Sequence, residues 1–330
     1  MGDICVFIEQ RDGIFQKVGF ELISEASKLA SKIDEKVVAV ALGHNIADKA
    51  EELVKYGADE VVVIDNEMLK EFVTEPYTKA LVEVIKDRQP EAFLIGATSI
   101  GRDLAPRVSA RVKTGLTADC TELDVDAESK NFFMTRPAFG GNIMATIICE
   151  NHRPQMATVR PGVMKTVVDE NKKGVITNFT VDFKPSDMNI KIRDIIKKEN
   201  NKVDILDQNI LVSGGRGIGT KENFEKLQGL ADTLKGGVSS SRACVDAGVM
   251  ERDLQVGQTG KTVRPDVYFA MGISGAIQHV VGMENSELII AVNKDKFAPI
   301  FETADLGIVG DANQIIPKLT EALAKKLAER

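Results

Sequence analysis

The chain has 330 residues, of which 43% are hydrophobic and 28% charged, and its formal net charge is −7 at pH 7. This length suits two domains, and the acidic balance argues against nucleic acid as a partner. The four cysteines are scattered without CxxC spacing, which excludes a zinc ribbon or an iron–sulfur cluster held by this chain alone, so no metal is expected. No secretory signal is recognised and no apolar run reaches membrane-spanning length, so we expect a cytoplasmic protein without membrane insertion.

The first half alternates short Val- and Ile-rich runs with amphipathic helical periods. Such alternation is typical of βαβ units around a parallel sheet. The predicted strands are residues 4–9, 36–43, 60–65 and 92–98, and the predicted helices are residues 18–33, 47–57, 76–88 and 101–112. The sequence therefore predicts a parallel-sheet, nucleotide-binding-like α/β domain at the N-terminus.

The pattern changes between about Leu116 and Phe183. Residues 132–150 and 154–162 are typical of paired strands, and Gly140-Gly141 marks a turn or bulge. We expect a more antiparallel extension of the first domain here. The charged segment 191–208 then has little apolar periodicity, as expected of a linker. These patterns divide the chain into residues 1–200 and residues 201–330.

The second half restarts the alternation and ends its strands in small or polar residues. The predicted strands are residues 209–217, 266–275, 287–293 and 306–311, and the predicted helices are residues 222–236, 276–283 and 312–329. In doubly wound sheets, ligands bind beyond the carboxyl ends of the strands. This half is therefore predicted to be a doubly wound ligand-binding domain.

Two glycine-rich segments resemble nucleotide motifs without matching them. In SGGRGIG, Thr220 replaces the last glycine of a dinucleotide fingerprint, so the segment is either a tight turn or another phosphate-binding turn to which Arg216 adds a cation. GQTGKT has Gln255 where a P-loop has its first glycine, and no helix follows. It is either a solvated loop or a ligand loop whose donors include Gln258 and Thr259.

Two further segments place polar groups at predicted helix starts. Arg242 follows a run of serines, and a cation at that position opposes the helix dipole, so we expect an anionic or electron-rich partner above it. GISGAIQH would put the free amides of Gly275, Ala276 and Ile277 at a helix start, as a pyrophosphate site requires. His279 would face the same crevice, whereas His44 and His152 are predicted to be structural.

The runs VSGGRG, SSRACVDAG, QVGQTGK, GISGAIQH and AVNKDKFAPIFETADLGIVGD resemble the α subunits of electron transfer flavoproteins. The resemblance extends over the chain and is most specific between Asn209 and Asp311. It implies FAD as the cofactor of the second domain. The contacts that it implies are with Arg216, Ser241, Arg242, Val256, Gly257, Gln258, Thr259, Ser274, Gly275, Ala276, Ile277, Gln278, His279, Asn293, Asp311 and Ala312.

The resemblance also implies a role for each part of this set. Arg242 would lie near the isoalloxazine ring and favour a negatively charged reduced flavin, the Thr259 hydroxyl would reach N5, and His279 would reach the C2 carbonyl. The backbone amides of residues 274–279 would hold the pyrophosphate. Asn293 and Asp311 would bind the adenosine end. No residue of this set would itself break or form a bond in a substrate.

The family resemblance further implies partners. A β subunit would pack on the first domain to form a heterodimer, and the second domain would swing on residues 197–204 to dock on an acyl-CoA dehydrogenase of fatty acid β-oxidation. Some members of the family bifurcate electrons from NADH, through a second FAD held mainly by the β subunit, to ferredoxin and an enoyl-CoA reductase. Redox activity would require the complex. The alternatives are an NAD(P)-dependent dehydrogenase, disfavoured by the broken fingerprint, and a non-redox nucleotide-binding module, which would not explain the cations and histidine together.

Overall fold

The computed structural model describes residues 2–138, 143–195 and 204–328. These residues form two compact units, one made of residues 2–138 and 143–195 and the other of residues 204–328. The predicted boundary between residues 200 and 201, the turn predicted at 140–141 and residues 197–203 of the predicted hinge lie outside the described residues. They stay predictions.

The first unit combines a parallel sheet with a small antiparallel one. Its strands are β1 (Ile4–Ile8), β2 (Gln10–Arg11), β3 (Ile14–Phe15), β4 (Val37–Gly43), β5 (Glu60–Asp65), β6 (Ala92–Gly96), β7 (Leu116–Cys120), β8 (Glu122–Val125), β9 (Phe132–Ala138), β10 (Ile143–Ile147), β11 (Gln155–Val159) and β12 (Val175–Asn178). Its α-helices are α1 (Lys17–Ile33), α2 (Ala50–Val54), α3 (Thr74–Arg88) and α4 (Ser99–Val112). The large sheet has the order β12-β5-β4-β1-β6-β11-β7, and all its pairs are parallel.

The apolar runs of the first unit form strands because both faces of its large sheet are covered. In β1, Ile4, Val6 and Ile8 join the core cluster that contains α1, and Cys5 and Phe7 join the opposite cluster, which contains α3 and α4. Strands buried on both faces are expected to be continuously apolar rather than alternating. The predicted parallel sheet is confirmed.

The prediction of an antiparallel extension is correct for only part of the segment 116–183. β9 pairs with β8 and β10 in an antiparallel sheet. However, β11 lies within the parallel sheet between β6 and β7. All five of its residues are buried, as expected of a strand with a neighbour on each side. The segments next to it in the sequence gave no indication of this position. The edge strand β12 was not predicted, because its side chains are mostly exposed and carry no apolar period.

The second unit is a doubly wound parallel sheet, as predicted. Its strands, in the sheet order β14-β13-β15-β16-β17, are β13 (Ile210–Gly214), β14 (Gly237–Ser240), β15 (Val267–Met271), β16 (Leu288–Asn293) and β17 (Leu306–Val309). The helices are α5 (Lys221–Thr233), α6 (Arg242–Asp246), α7 (Ile277–Val280), α8 (Ile300–Thr303) and α9 (Ala312–Ala328). Separate apolar clusters cover the two faces of the sheet.

Several elements of both units are shorter than the sequence predicts. The helix predicted at 276–283 contains only the four residues of α7 and continues as turns. The helix predicted at 47–57 begins as a 3₁₀ turn and keeps α geometry only over α2. β14 was not predicted, because Gly237–Ser240 has a single apolar side chain. Among the described residues, none of the helices combines the length and the apolar character needed to cross a membrane.

Candidate functional site

The carboxyl ends of four strands in the second unit surround a cavity of about 700 Å³. It opens after β13, β14, β15 and β16, where the chain turns away from the sheet. Its lining residues are Arg216, Gly217, Ser241, Arg242, Ala243, Asp246, Gln255, Val256, Gly257, Gln258, Thr259, Gly272, Ile273, Ser274, Ala276, Gln278, His279 and Asn293. This is the position at which a doubly wound sheet binds its ligand.

All the predicted contact residues except Gly275, Ile277, Asp311 and Ala312 line this cavity. Ile277 is the first residue of α7 and its side chain is half-exposed. Asp311 precedes α9, and its Oδ1 accepts a hydrogen bond of 2.9 Å from the amide of Asn313, while Ala312 is part of the core. The cofactor contacts proposed for these four residues, like those of the lining residues, stay predictions.

Gly275 shapes the turn that follows β15. Its φ is +89°, and a Cβ atom added there would lie 2.1 Å from the Ile300 backbone nitrogen. The turn is also tied to α8, because the amide of Ile300 donates a 3.1 Å hydrogen bond to the carbonyl of Ser274. Only glycine allows this combination of positive φ and close backbone approach. The turn is therefore held next to the cavity.

Gly257 packs the loop after Gln255 directly onto α7. Its φ is +134°, and an added Cβ would lie 2.6 Å from the Gln278 carbonyl oxygen. The amide of Gln258 donates a 2.7 Å hydrogen bond to that same carbonyl. Thr259 is held from within the loop, because its hydroxyl accepts a 2.9 Å hydrogen bond from Gln255 Nε2. The loop therefore keeps a fixed relation to His279.

Two arginines bring positive charge to the cavity, and they differ in whether a carboxylate of the chain lies beside them. Arg216 is exposed in the turn after β13. Arg242 starts α6, and its Nε lies 3.2 Å from Asp246 Oδ2 one turn later. The sequence predicted an external anion to offset the unfavourable position of Arg242 at a helix start. The structure gives Asp246 as an exposed partner within the helix, and the external partner of Arg242 stays a prediction.

His279 is buried at the edge of the cavity and is neutral near pH 7. Burial lowers its pKa to about 4, against a raising effect of the Val256 backbone. Its Nε2 lies 3.0 Å from the hydroxyl of Tyr268. Its Nδ1 has no partner in hydrogen-bond geometry among the described residues. His279 therefore brings a neutral imidazole to the cavity wall rather than the positive charge that a protonated imidazole would supply.

Asn293 lines the far end of the cavity, but local hydrogen bonds engage its side chain. Its Nδ2 donates a 2.8 Å hydrogen bond to the Ile273 carbonyl, and its Oδ1 accepts one of 3.0 Å from the Asp295 amide. Asn293 thus joins the end of β16 to the turn after β15. Contact with an adenosine group would add to this structural role.

Sequence analysis did not single out six lining residues, namely Gly217, Ala243, Asp246, Gln255, Gly272 and Ile273. Three of them, Gly217, Gly272 and Ile273, belong to glycine-rich segments that the sequence analysis recognised. Their place at the cavity could therefore have been predicted from those segments. Asp246 stands four residues after Arg242, a spacing that predicts a helical ion pair. Gln255 gave no comparable signal, because its role depends on the fold of its own loop.

The other two histidines belong to the first unit. His44 Nδ1 lies 3.5 Å from Asp65 Oδ1, and His152 is exposed. Over the described ranges, no group of three or more His, Cys, Asp or Glu side chains is arranged to hold a metal ion.

Comparison with known families covers both units. Residues 4–184 match the electron transfer flavoprotein domain, and residues 204–284 match the electron transfer flavoprotein FAD-binding domain. The chain belongs to the electron transfer flavoprotein family. Its cofactor is FAD, as the sequence predicted.

Individual relatives match the chain over nearly its whole length. It is 52% identical over 324 residues to an electron transfer flavoprotein subunit alpha from Thermoanaerobacterium thermosaccharolyticum, with 98% of each chain covered. It is 47% identical over 350 residues to an acryloyl-CoA reductase electron transfer subunit beta from Anaerotignum propionicum, with 97% of this chain and 95% of that one covered. It is 42% identical over 317 residues to the lactate dehydrogenase (NAD(+),ferredoxin) subunit LctC from Acetobacterium woodii, covering 96% and 75%.

The chemistry of the cavity fits FAD. The arginine in the turn after β13 can pair with a phosphate, and hydroxyls of Ser241, Thr259 and Ser274 lie on the lining. The first turn of α7 has no side-chain cap, and its His279 amide donates a 2.8 Å hydrogen bond to the Ala276 carbonyl, so the amides of Ile277 and Gln278 are the ones left for an acceptor. These groups suit an anionic dinucleotide.

Proposed function

We propose that this chain is the FAD-holding subunit of an electron carrier and that it binds FAD in the cavity at the strand ends of its second unit. The observation that carries the proposal is the meeting of two arginines, several hydroxyls and a neutral histidine in one cavity of about 700 Å³. This cavity lies mostly within residues 204–284, which match the FAD-binding domain of the family. FAD supplies the electron-accepting chemistry when bound.

The protein's own residues would hold the cofactor and adjust its potential. Arg216 would pair with phosphate oxygens, because it is exposed in the turn after β13 and has no ion pair in the described part of the chain. The backbone amides around Ala276 would bind the pyrophosphate. Arg242 and His279 would face the electron-rich edge of the ring, and Thr259 would contact its centre.

A neutral His279 affects a reduced ring differently from a charged one. Burial keeps the pKa of His279 at about 4, so protonation at neutral pH is unfavourable. A neutral N–H donor stabilises developing negative charge without adding a fixed charge to the oxidised state. Arg242 would provide the positive charge, in competition with Asp246.

We also propose the partners of this carrier. A β subunit would form a heterodimer with the first unit, and residues 197–204 would act as a hinge in the cytoplasm. The relative from Acetobacterium woodii is named for NAD(+) and ferredoxin, and the one from Anaerotignum propionicum for acryloyl-CoA reductase. These names support an acyl-CoA-linked redox partner, such as an acyl-CoA dehydrogenase of β-oxidation, and electron bifurcation from NADH.

The test is to co-express the chain with a β-subunit gene from the same genome and to count FAD in the purified complex. We expect this chain to contribute one FAD, which is lost when Arg216 and Arg242 are both replaced by methionine, whereas an FAD held by the β subunit would remain. NADH oxidation is then measured with and without ferredoxin and an acyl-CoA substrate system. Stimulation only when both acceptors are present supports bifurcation. A colourless complex that takes up no FAD contradicts the proposed function.

A further inference from the structure

Behind the cavity lies a buried group of hydroxyls that the proposed function does not use. Ser213, Ser239 and Tyr268 are all 0% exposed. The strand register places Ser213 of β13 opposite Ser239 of β14 and opposite Ala270 of β15. Tyr268 precedes Ala270 by two residues and therefore points to the same face of the sheet. Three hydroxyls thus meet in the interior under the cavity.

This group ends at His279. The Tyr268 hydroxyl lies 3.0 Å from His279 Nε2, and the two ring centroids are 6.2 Å apart. The Ser213 and Ser239 hydroxyls lie close enough to lower the pKa of Tyr268, but burial has the larger, raising effect. The phenol is therefore neutral. The hydrogen bond between the Tyr268 hydroxyl and His279 Nε2 contains one proton, and the donor is either the phenol or Nε2.

The surroundings of the imidazole favour the phenol as the donor. A phenol is a stronger donor than a serine hydroxyl, and an imidazole nitrogen is its strongest neighbouring acceptor. The backbone of Val256 raises the pKa of His279, which is the effect of an acceptor near the ring. An acceptor next to the remaining nitrogen favours a proton on Nδ1.

We propose that Tyr268 is a positioning residue that donates its proton to His279 Nε2 and so holds the imidazole as the neutral Nδ1–H tautomer. The imidazole that lines the cavity then keeps one fixed arrangement of its proton. The tautomer is a property of the chain alone. Only its effect on the flavin rests on the proposed function.

The first test is a nitrogen-15 NMR spectrum of the full chain in complex with its β subunit and labelled at histidine. The chain has 3 histidines, so substitutions of His44 and His152 assign the signals. We expect Nδ1 of His279 in the range of protonated nitrogens and Nε2 in the range of unprotonated ones, unchanged between about pH 6 and 8. A proton on Nε2, or two tautomers in exchange, overturns the proposal even if no variant folds.

The second test compares Tyr268→Phe with Tyr77→Phe. Tyr77 is the matched control, because it is also buried, and its hydroxyl donates a 2.7 Å hydrogen bond to the Leu69 carbonyl in the first unit. We expect Tyr268→Phe to give mixed His279 tautomers and a lower flavin potential in the FAD-loaded complex. Tyr77→Phe is expected to leave both unchanged at a similar loss of thermal stability.

The outcomes separate the two proposals. A fixed Nδ1–H tautomer in a complex that binds no FAD supports the role of Tyr268 and contradicts the proposed function. If Tyr268→Phe binds FAD and its His279 tautomer and flavin potential are unchanged, the proposed function is supported and the role of Tyr268 is contradicted.

Discussion

Both units end parallel strands in polar residues, but those of the first unit satisfy each other. The buried Glu9 carboxylate, only 2% exposed, lies 2.9 Å from an Arg11 guanidinium nitrogen and accepts a hydrogen bond from the Thr98 hydroxyl. Arg160 binds Asp119 through two hydrogen bonds, the shorter 2.6 Å long. These charges leave little free capacity for an external anion.

In the second unit the corresponding groups stay open to a ligand. Arg216 is exposed, and glycines replace side chains where the turns approach each other. The two sheets share their parallel architecture. The difference teaches that a doubly wound sheet can bind a ligand at its strand ends when an exposed cation such as Arg216 lies beside turns built from glycine.

The largest expected effect is a loss of stability and of FAD when a glycine beside the cavity is replaced, compared with a glycine on a helix surface. Gly275→Ala forces a side chain into a positive-φ turn against the Ile300 backbone, and we expect it to cost about 3 kcal/mol and to abolish FAD retention. Gly229→Ala is the control, since it lies on α5 with nothing within 4 Å of an added Cβ. It should stabilise the protein by about 1 kcal/mol. Urea unfolding and FAD content measure both, and equal effects would contradict this account of the turn.

Acid should affect the second unit before the first. His279 has a folded pKa of about 4, below the value of about 6.5 expected in the unfolded chain. The stability it contributes is therefore complete above about pH 6.5 and is lost as the pH falls towards 4, by about 2 kcal/mol at pH 5. His279→Gln should remove this loss, and the exposed His152→Gln should not. Hydrogen exchange at pH 7.5 and pH 5 follows each unit; the idea fails if His279→Gln keeps the acid loss.

Replacing one arginine in each unit should give opposite results. Arg160→Met removes a partly buried ion pair, and we expect a stability loss of about 1.5 kcal/mol with FAD affinity unchanged. Arg216→Met should leave stability unchanged and weaken FAD binding, because this guanidinium is exposed. Thermal unfolding and FAD titration of both variants are the measurements. If Arg160→Met lost FAD affinity and Arg216→Met did not, the first unit rather than the second would be the one that binds FAD.

The same ion pair gives the first unit its own pH dependence. Burial raises the pKa of Asp119, but the Arg160 guanidinium outweighs this and the pKa is lowered overall. The resulting stability is present above about pH 3.9 and is lost as the pH falls through the folded value. The stability difference between the wild type and Arg160→Met should therefore shrink in acid. A difference that stays constant down to the acid limit of folding would argue against the ion pair.

The smallest expected effect concerns the ion pair at the cavity wall. Asp246→Asn releases Arg242 from an exposed pair, so stability should change by no more than about 0.5 kcal/mol. The freed guanidinium and the lost negative charge should both raise the flavin potential. Glu225→Gln, which removes a charge from the exposed side of α5, is the control. A potential that shifts equally in both variants would mean that only the net charge matters.

The sequence predicted most of the second unit because its signals are local. The glycines after β13 and β15, with the helical period that follows β13, indicated strand ends and a binding edge. Strand β14 was not predicted because Ser239 and Ser240 are polar, although both are fully buried in the structure. The central position of β11 escaped as well, since its parallel partners lie far away in the sequence.

The sequence by itself determined the α/β class, the glycine-rich strand ends and the family, and hence FAD, because each depends on residue types at short spacings. Only the tertiary structure decided that His279 is neutral and held by Tyr268. The physical reason is that charge state and hydrogen-bond partners depend on burial. Burial is set by strands and loops that meet only after folding.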